Sequence, residues 1–471
     1  KQPEIEKNMP QTQIGLIGLG PMGLGLAKNL AEKEFEVIAW DEDSQINAKA
    51  SNIEDRKIIV CQSLRALTSL LKPPRTILLS IRSGSPVTYA LTQLAGLLSQ
   101  NDVVADCGNS HFQDTHRRGN QLRQFGIEFL GVGISGGPEG ARSGPSIMAG
   151  GSRSGWSRAQ HCFEAISAKV GGEPCCMFFG QGGSGHYVKM VHNGIEYGIM
   201  HLLLEIYAIL CRTYGNNNER VAEVFNFLNS SHTASYLMDV TARVLAERGS
   251  GHDSFLIDEV DGRAEQKGTG LWAVQTALDL GMPVPTISEA VMFRQLSAII
   301  EQPPESYSIN APMSVWRSDD HAELRDAVLL AFISTFVQGM SLLTAGKEVV
   351  GNELDVRAIL KTWRGGCVLQ GALIDLLTRA FNNLHEGYDV LHSADLDEVL
   401  SKGIKALRRL TADAVTAGIP CSGLVSSLAY VESKRGSHLP MSLTQLQRNY
   451  FGQHPIYDKR TGEPIKVLWK R

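Results

Sequence analysis

Cysteine is sparse, with eight residues in 471, irregularly spaced and without a C-x-x-C pair. A disulfide framework and a zinc-type ligand set therefore lack their spacing, and the usage fits a reducing, cytoplasmic setting with no metal site suggested. An excess of one charge is lacking too. Forty-five Lys and Arg stand against 49 Asp and Glu, a net charge of −4, without the basic surplus that phosphate-backbone binding needs. Nucleic acid is not an expected partner. The opening KQPEIEKNMPQ has neither an apolar stretch nor an arginine-rich amphipathic pattern, so no targeting segment is read there. One hydrophobic run, residues 327–345, approaches the roughly 20 residues that cross a bilayer. Ser334, Thr335, Gln338, Ser341 and Thr344 interrupt it, and Glu323 and Asp326 precede it. It is expected as a helix buried in a large helical domain, not as a membrane span.

What is present points to an ordinary folded protein of more than one domain. The length is several times the roughly 100–200 residues of a typical domain, and 43% hydrophobic with 20% charged residues excludes global disorder. Of the 47 glycines, 25 fall before residue 186, between short β-branched runs. Strands are expected at 13–18, 36–40, 58–60, 76–81, 102–106 and 128–131, mostly separated by helix-length segments. That alternation argues for an α/β domain with a parallel sheet covered on both faces. From about residue 186 the pattern becomes long, apolar and helical. The expected organisation is a Rossmann-type domain over 1–183, a large all-α domain over 184–441 and a polar C-terminal docking tail over 442–471. Pro303 and Pro304, with the polar stretch to Asp320, read as a surface connection.

IGLIGLGPMG places Gly18, Gly20 and Gly23, with Pro21 and Met22 between them, directly after a strand and before a helix expected at 24–33. In that context Gly18 allows the tight turn, Gly20 lets a pyrophosphate approach the backbone, and Gly23 allows close helix packing. The second strand ends at Asp41, 23 residues after Gly18, where a carboxylate accepts hydrogen bonds from a ribose 2′-hydroxyl. Asp41, Glu42 and Asp43 stand where an NADP-binding site wants a cation. A carboxylate about 4 Å from a phosphate charge costs on the order of 1–4 kcal/mol, so NAD is favoured over NADP unless Lys28, Lys33 or Arg82 offsets it. Glu42 and Asp43 also read as solvated turn residues.

Residues 183–210 read as one long, mostly apolar helix. Lys189, His192, Asn193 and Glu196 fall at i, i+3, i+4 and i+7, on one face, with Lys189 and Glu196 roughly 10 Å apart along the axis. Two readings fit. The four either address opposite ends of one small bound molecule, or form the i,i+4 pairs Lys189–Asn193 and His192–Glu196.

KMVHNGIEYG at 189–198, with SGGPEGARSGPSIMAGG at 135–151, resembles the 6-phosphogluconate dehydrogenase family. GNS at 108–110, QKGTG at 266–270, WRGGC at 363–367 and QRNYFGQH at 447–454 agree in the same order, so the resemblance covers nearly the whole chain. It implies oxidative decarboxylation of 6-phospho-D-gluconate to D-ribulose 5-phosphate with reduction of NAD(P)+. By resemblance Lys189 takes the proton from the substrate's 3-hydroxyl and Glu196 protonates carbon 1 of the enediol. Asn109, Ser135, Gly136, Gly137, His192 and Asn193 match positions that hold the carboxylate and hydroxyls. Tyr197, Lys267, Arg294, Arg448 and His454 match the phosphate set, and Arg82 and Asn109 match cofactor positions. Arg448 and His454 lie in the tail, which in the family completes the partner subunit's site, so a homodimer is implied.

The chain departs from the family at the second strand's end, where Asp41, Glu42 and Asp43 replace Asn, Arg and Thr. Gly20-Pro21 replaces the common Ala-Val of the turn, Cys107 stands for a glycine, and Arg82 stands for a lysine. The vicinal Cys175 and Cys176 read as buried structural thiols. Another β-hydroxyacid dehydrogenase, or a catalytically silent dinucleotide sensor, are the alternatives. The first lacks the phosphate set and tail as a rule, and the second has no need of both an acid and a base.

Overall fold

The computed structural model describes residues 12–469, except 53–54, 216, 252–253, 301–320, 352, 386–387 and 437–438. Short apolar runs separated by glycine turns form one eight-stranded sheet: β1 (Gln13–Ile17), β2 (Glu36–Trp40), β3 (Ile58–Val60), β4 (Thr76–Leu79), β5 (Val103–Asp106), β6 (Glu128–Ser135), β7 (Ser146–Gly151) and β8 (Cys176–Phe178). Its order is β8-β7-β6-β5-β4-β1-β2-β3. β1 to β6 are parallel, and β7 runs antiparallel to β6 with β8 parallel to β7. This is the Rossmann-type α/β architecture expected from the alternation.

Three details differ from the sequence-based reading. The sixth strand extends past 131 to Ser135, and β7 and β8 were not foreseen. Glycines hide all of this. Gly131 and Gly133 look like strand breakers, yet they sit where a helix lies directly on the sheet. A Cβ on Gly133 would come 2.3 Å from the Cβ of Lys189. The first helix begins at Pro21 and not at residue 24, because proline at the first helical position is pre-set for helical φ and lacks only an N–H with no partner to bond.

From Ser184 up to the tail the described residues are mainly helical. The helix Ser184–Tyr214 spans 31 residues and ends at Gly215 in the left-handed conformation. Its first turns lie on β6 and β7, and its remaining length runs through the helical core. The apolar run becomes the helix His321–Ala345. Its polar residues are satisfied inside the core. Gln338 accepts from Thr286 N–H at 2.9 Å and donates to Thr286 Oγ1 at 2.8 Å, and Ser334 donates to Ser427 O at 3.1 Å. Both helices are long and apolar enough to cross a membrane, but 72% and 89% of their apolar windows are buried within the protein. The connection expected around Pro303 and Pro304 lies outside the described residues.

A buried pair ties the long helix to a distant one. Glu205 accepts from the N–H groups of Gly423 and Leu424, both at 2.8 Å, at the start of the helix Ser422–Arg435, and His201 Nε2 lies 3.0 Å from its Oε1. The carboxylate thus neutralises a helix N-terminus. Glu205→Ala is expected to destabilise the fold by about 3 kcal/mol, because two buried N–H groups lose their acceptor. A melting scan that moved by less than a degree would refute this.

All eight cysteines are buried and free. Burial pushes the Cys175 and Cys176 thiols up, in keeping with structural thiols. The tail forms a helix, Met441–Gly452, and a small antiparallel pair, Ile456–Tyr457 with Pro464–Ile465. It is held together internally: Asn449 donates to His454 O at 2.7 Å, and Trp469 Nε1 donates to Asn449 Oδ1 at 2.8 Å.

Candidate active site

At the carboxyl end of β1 the chain makes the turn that the glycines require. Gly18 has φ +95°, and a Cβ there would meet Ser80 O at 2.4 Å. A Cβ on Gly23 would meet Gly18 O at 1.9 Å, so the helix packs as tightly as a dinucleotide turn demands. At Gly20 the space is open, with nothing within 4 Å. The helix Pro21–Glu32 has no side-chain cap, which leaves its first N–H groups for an anion. Open space and uncapped donors fit a pyrophosphate.

Asp41 closes this turn. Its Oδ2 accepts from Leu19 N–H at 2.7 Å and its Oδ1 from Asp43 N–H at 2.9 Å. Asn47 braces the Asp41 backbone in both directions, at 2.8 and 2.7 Å. The carboxylate is fixed beside the glycine turn with lone pairs remaining for a sugar hydroxyl. Asp43 caps the helix Ser44–Ala50 by accepting from Gln45 N–H at 2.8 Å, so of the three acids it has a local structural task. Arg82 is exposed on the turn after β4.

The polar stripe of the long helix begins where that helix lies on β6 and β7. Lys189, His192 and Asn193 are buried, and the Glu196 side chain is 22% exposed. Burial lowers the Lys189 pKa against the opposing pull of Glu196 and Cys367. Burial likewise raises the Glu196 carboxyl, against Lys189 and Arg294, and lowers His192 well below its usual value, helped by Lys189. The stripe thus shifts its amine and imidazole toward their neutral forms and its carboxyl toward the protonated form.

The simple pairing along the helix is not what forms. Asn193 Nδ2 donates to Thr269 Oγ1 at 3.1 Å. His192 Nε2 lies 3.4 Å from Ser135 Oγ, and its Nδ1 stands 3.9 Å from Glu196, too far for a hydrogen bond. His192 Nδ1 and Asn193 Oδ1 are buried without a partner. Buried polar atoms are rarely left so unless a ligand or water serves them.

The turn of Ser135, Gly136 and Gly137 backs onto the WRGGC turn. A Cβ on Gly136 would sit 2.6 Å from Gly366 O, and Ser146 N–H donates to that same oxygen at 2.8 Å. Trp363, fully buried, stands edge-on to the His192 ring at 5.1 Å. Cys367 donates to Trp363 O at 3.2 Å, and burial pushes its thiol up to about 12. It therefore stays neutral beside Lys189. The supporting roles of Trp363, Cys367 and Thr269 were not read from the sequence. No spacing signals them, since their contacts span 76 to more than 170 residues.

Of the residues matched to the phosphate set, Tyr197 and Arg294 come together next to Glu196. The Arg294 guanidinium lies 3.6 Å above the Tyr197 ring centroid. Lys267 is exposed just before the helix Thr269–Asp279. Arg448 and His454 are exposed in the tail, and Arg448 donates to Gln445 at 3.1 Å. Asn109 is exposed between Gly108 and Ser110, both of which bond Asp106.

A dinucleotide turn on the sheet, with a buried lysine and a glutamic acid on one face of the helix that follows it, fits a dinucleotide-dependent oxidoreductase. The family description "NAD binding domain of 6-phosphogluconate dehydrogenase" matches residues 13–180, and "6-phosphogluconate dehydrogenase, C-terminal domain" matches residues 185–469. The chain belongs to the 6-phosphogluconate dehydrogenase family. It is 38% identical to 6-phosphogluconate dehydrogenase, decarboxylating 2, of Saccharomyces cerevisiae, over 94% of this chain and 91% of the relative. It is 35% identical to the NADP(+)-dependent decarboxylating enzyme of Bacillus subtilis, over 97% and 98%. The solved Plasmodium falciparum 6-phosphogluconate dehydrogenase, studied with NADP+ and with 6-phosphogluconate, superposes with a TM-score of 0.90 at 30% identity, covering 97% of this chain and 100% of that one.

Proposed function

We propose that this chain oxidises 6-phospho-D-gluconate and decarboxylates the product to D-ribulose 5-phosphate and carbon dioxide, with NAD+ preferred over NADP+. The observation that carries the mechanism is the pairing of a buried lysine of lowered pKa with a glutamic acid of raised pKa on one helix face. The turn of Gly18, Gly20 and Gly23 with Asp41 would hold the nicotinamide dinucleotide, which would supply the acceptor for the carbon 3 hydride. Neutral Lys189 takes the 3-hydroxyl proton as that hydride leaves, giving a 3-keto acid. The carbon–carbon bond to the carboxylate then breaks, carbon dioxide departs, and the electron pair is held as an enediolate. Glu196 gives its proton to carbon 1 to form the ketose product. His192, Asn193, Ser135 and the backbone at Gly136 and Gly137 supply donors and acceptors to the substrate without adding charge where the bonds change. Tyr197, Lys267 and Arg294 serve the phosphate from one subunit, and Arg448 and His454 from its homodimeric partner. The exposed, internally folded tail supports that assignment. Eight buried free thiols suit a cytosolic setting.

The reading of cofactor preference rests on Asp41, whose carboxylate is held beside the glycine turn by two backbone N–H groups. Initial rates with 6-phosphogluconate, measured with NAD+ and NADP+ in parallel while trapping carbon dioxide, test reaction and preference together. NAD+ should be at least about tenfold more efficient, the low end of one carboxylate–phosphate repulsion. Equal or better use of NADP+ would leave the reaction standing and remove the argument from Asp41.

A further inference from the structure

Arg82 and Asn109, which the family resemblance matches to cofactor and substrate positions and which we propose act there, stand on the turns after β4 and β5. These strands are adjacent and parallel, and ligands of open α/β sheets bind at such carboxyl ends. The Asn109 turn is clamped from below: Asp106 Oδ1 accepts from Gly108 N–H at 3.0 Å and Oδ2 from Ser110 Oγ at 2.6 Å. One buried guanidinium touches both turns. Arg118, on the helix Phe112–Arg123 and 2% exposed, donates through Nη2 to Gly84 O at 2.7 Å and to Thr88 Oγ1 at 3.0 Å. Its Nε donates to Thr88 Oγ1 at 3.2 Å. Its Nη1 donates to Ser110 Oγ at 3.4 Å and lies 3.8 Å from Asp106 Oδ2. Gly84 is two residues beyond Arg82 and has φ +90° and ψ −136°, a conformation open almost only to glycine. A carbonyl held in that geometry needs a fixed donor.

Neutralising Asp106, which is fully buried, would require only a positive charge. The contacts show more: three of them reach across to the Arg82 turn and the helix Ser85–Ala95 that it starts. A planar fork spans two acceptor sets at a fixed separation, as an ammonium point charge does not. We infer that Arg118 is a positioning residue that sets the spacing between the Arg82 turn and the Asn109 turn, and so governs how cofactor and substrate meet. This rests on the proposed roles of Arg82 and Asn109.

The test uses the intact dimer and reads the calorimetric Kd for NAD+, the deuterium isotope effect on hydride transfer, and the melting temperature. Arg118→Lys keeps the charge and removes the fork. It should weaken NAD+ binding roughly tenfold and raise the isotope effect, since small misplacements cost rate steeply, while melting stays within about 5 °C. Thr88→Val, which severs two of the three bonds on the Arg82 side and none on the Asn109 side, should shift Kd and isotope effect in the same direction and decides the matter if Arg118→Lys fails to fold. Unchanged Kd and isotope effect in both variants, with or without lower melting, would overturn the inference. Arg82→Gln and Asn109→Ala separate the two levels. If they too leave binding and turnover intact, the underlying site assignment fails; if they impair both and the Arg118 and Thr88 variants do not, only the positioning role fails.

Discussion

Lys189→Met should lower kcat about a thousandfold, in the middle of the range for a positioned acid–base group, while the Kd for NAD+ stays within twofold. Methionine keeps the unbranched stem that packs on Gly133 and removes only the amine. The expectation follows from protonation arithmetic. At ordinary pKa values, about one molecule in a million would hold a neutral lysine and a protonated glutamic acid together near neutral pH. Burial moves the two values toward each other, and each unit of approach raises that population about tenfold. Activity should rise with pH as Lys189 loses its proton and fall as Glu196 loses its own; Glu196→Gln should abolish the alkaline limb. The same burial has a stability sign. A lysine whose pKa is lower folded than unfolded destabilises the fold at every pH below its unfolded value, and this penalty disappears as pH rises to that value. Lys189→Met should therefore melt higher than the parent at neutral pH. A variant that kept its turnover number, or melted lower, would contradict the assignment.

Deleting residues 442–471 should remove Arg448 and His454 and cost about 10²–10⁴ in kcat/KM for 6-phosphogluconate, as expected for two charge-assisted bonds to a phosphate. The decisive measurement mixes two inactive proteins. In a hybrid of Lys189→Met subunits with tail-deleted subunits, one site combines an intact Lys189 with an intact tail. Activity should return on mixing, to roughly a quarter of the parent's sites if subunits pair at random. If the tail served its own chain, mixing would restore nothing. The tail's surface suits the exchange: Leu443, Phe451 and Leu468 are 64, 72 and 98% exposed, which is expensive unless another surface covers them.

Sequence pattern was most informative where chemistry imposes spacing. The GxGxxG turn with Asp41 beyond it, and the i, i+3, i+4, i+7 stripe, carried both halves of the site, because each depends on contacts within one strand-turn-helix or one helix. The edge of the sheet was less legible. β7, SIMAGG, has the composition of a loop, and its place beside β6 comes from long-range pairing that no local preference encodes. Trp363 and Cys367 were visible only as part of a resembling segment, since their task is to back His192 and Lys189 from a turn far along the chain. Arg118 lies in FQDTHRRGNQLR, which reads as an exposed, charged helix; only the fold reveals that one of its arginines is buried between two turns. Asp43 was correctly open to a bland reading, because a carboxylate two residues before a helix N–H is a cap wherever it occurs.

The missing side chains at Gly131 and Gly133 have a mechanical consequence. There the helix comes close enough that a Cβ on Gly185 would meet Gly131 O at 2.3 Å and one on Gly133 would meet Lys189 Cβ at 2.3 Å, and Phe112, Met148 and Phe179 from the first domain are part of the helical core. Lys189, the base in the proposed mechanism, is therefore seated on a strand of the sheet that carries the dinucleotide turn, while its helix continues into the helical core. A clamshell hinge has nowhere to act between base and sheet. The two halves should instead lose structure in a single cooperative transition, and a fragment ending before Ser184 would leave the glycine face of β6 and β7 bare to solvent.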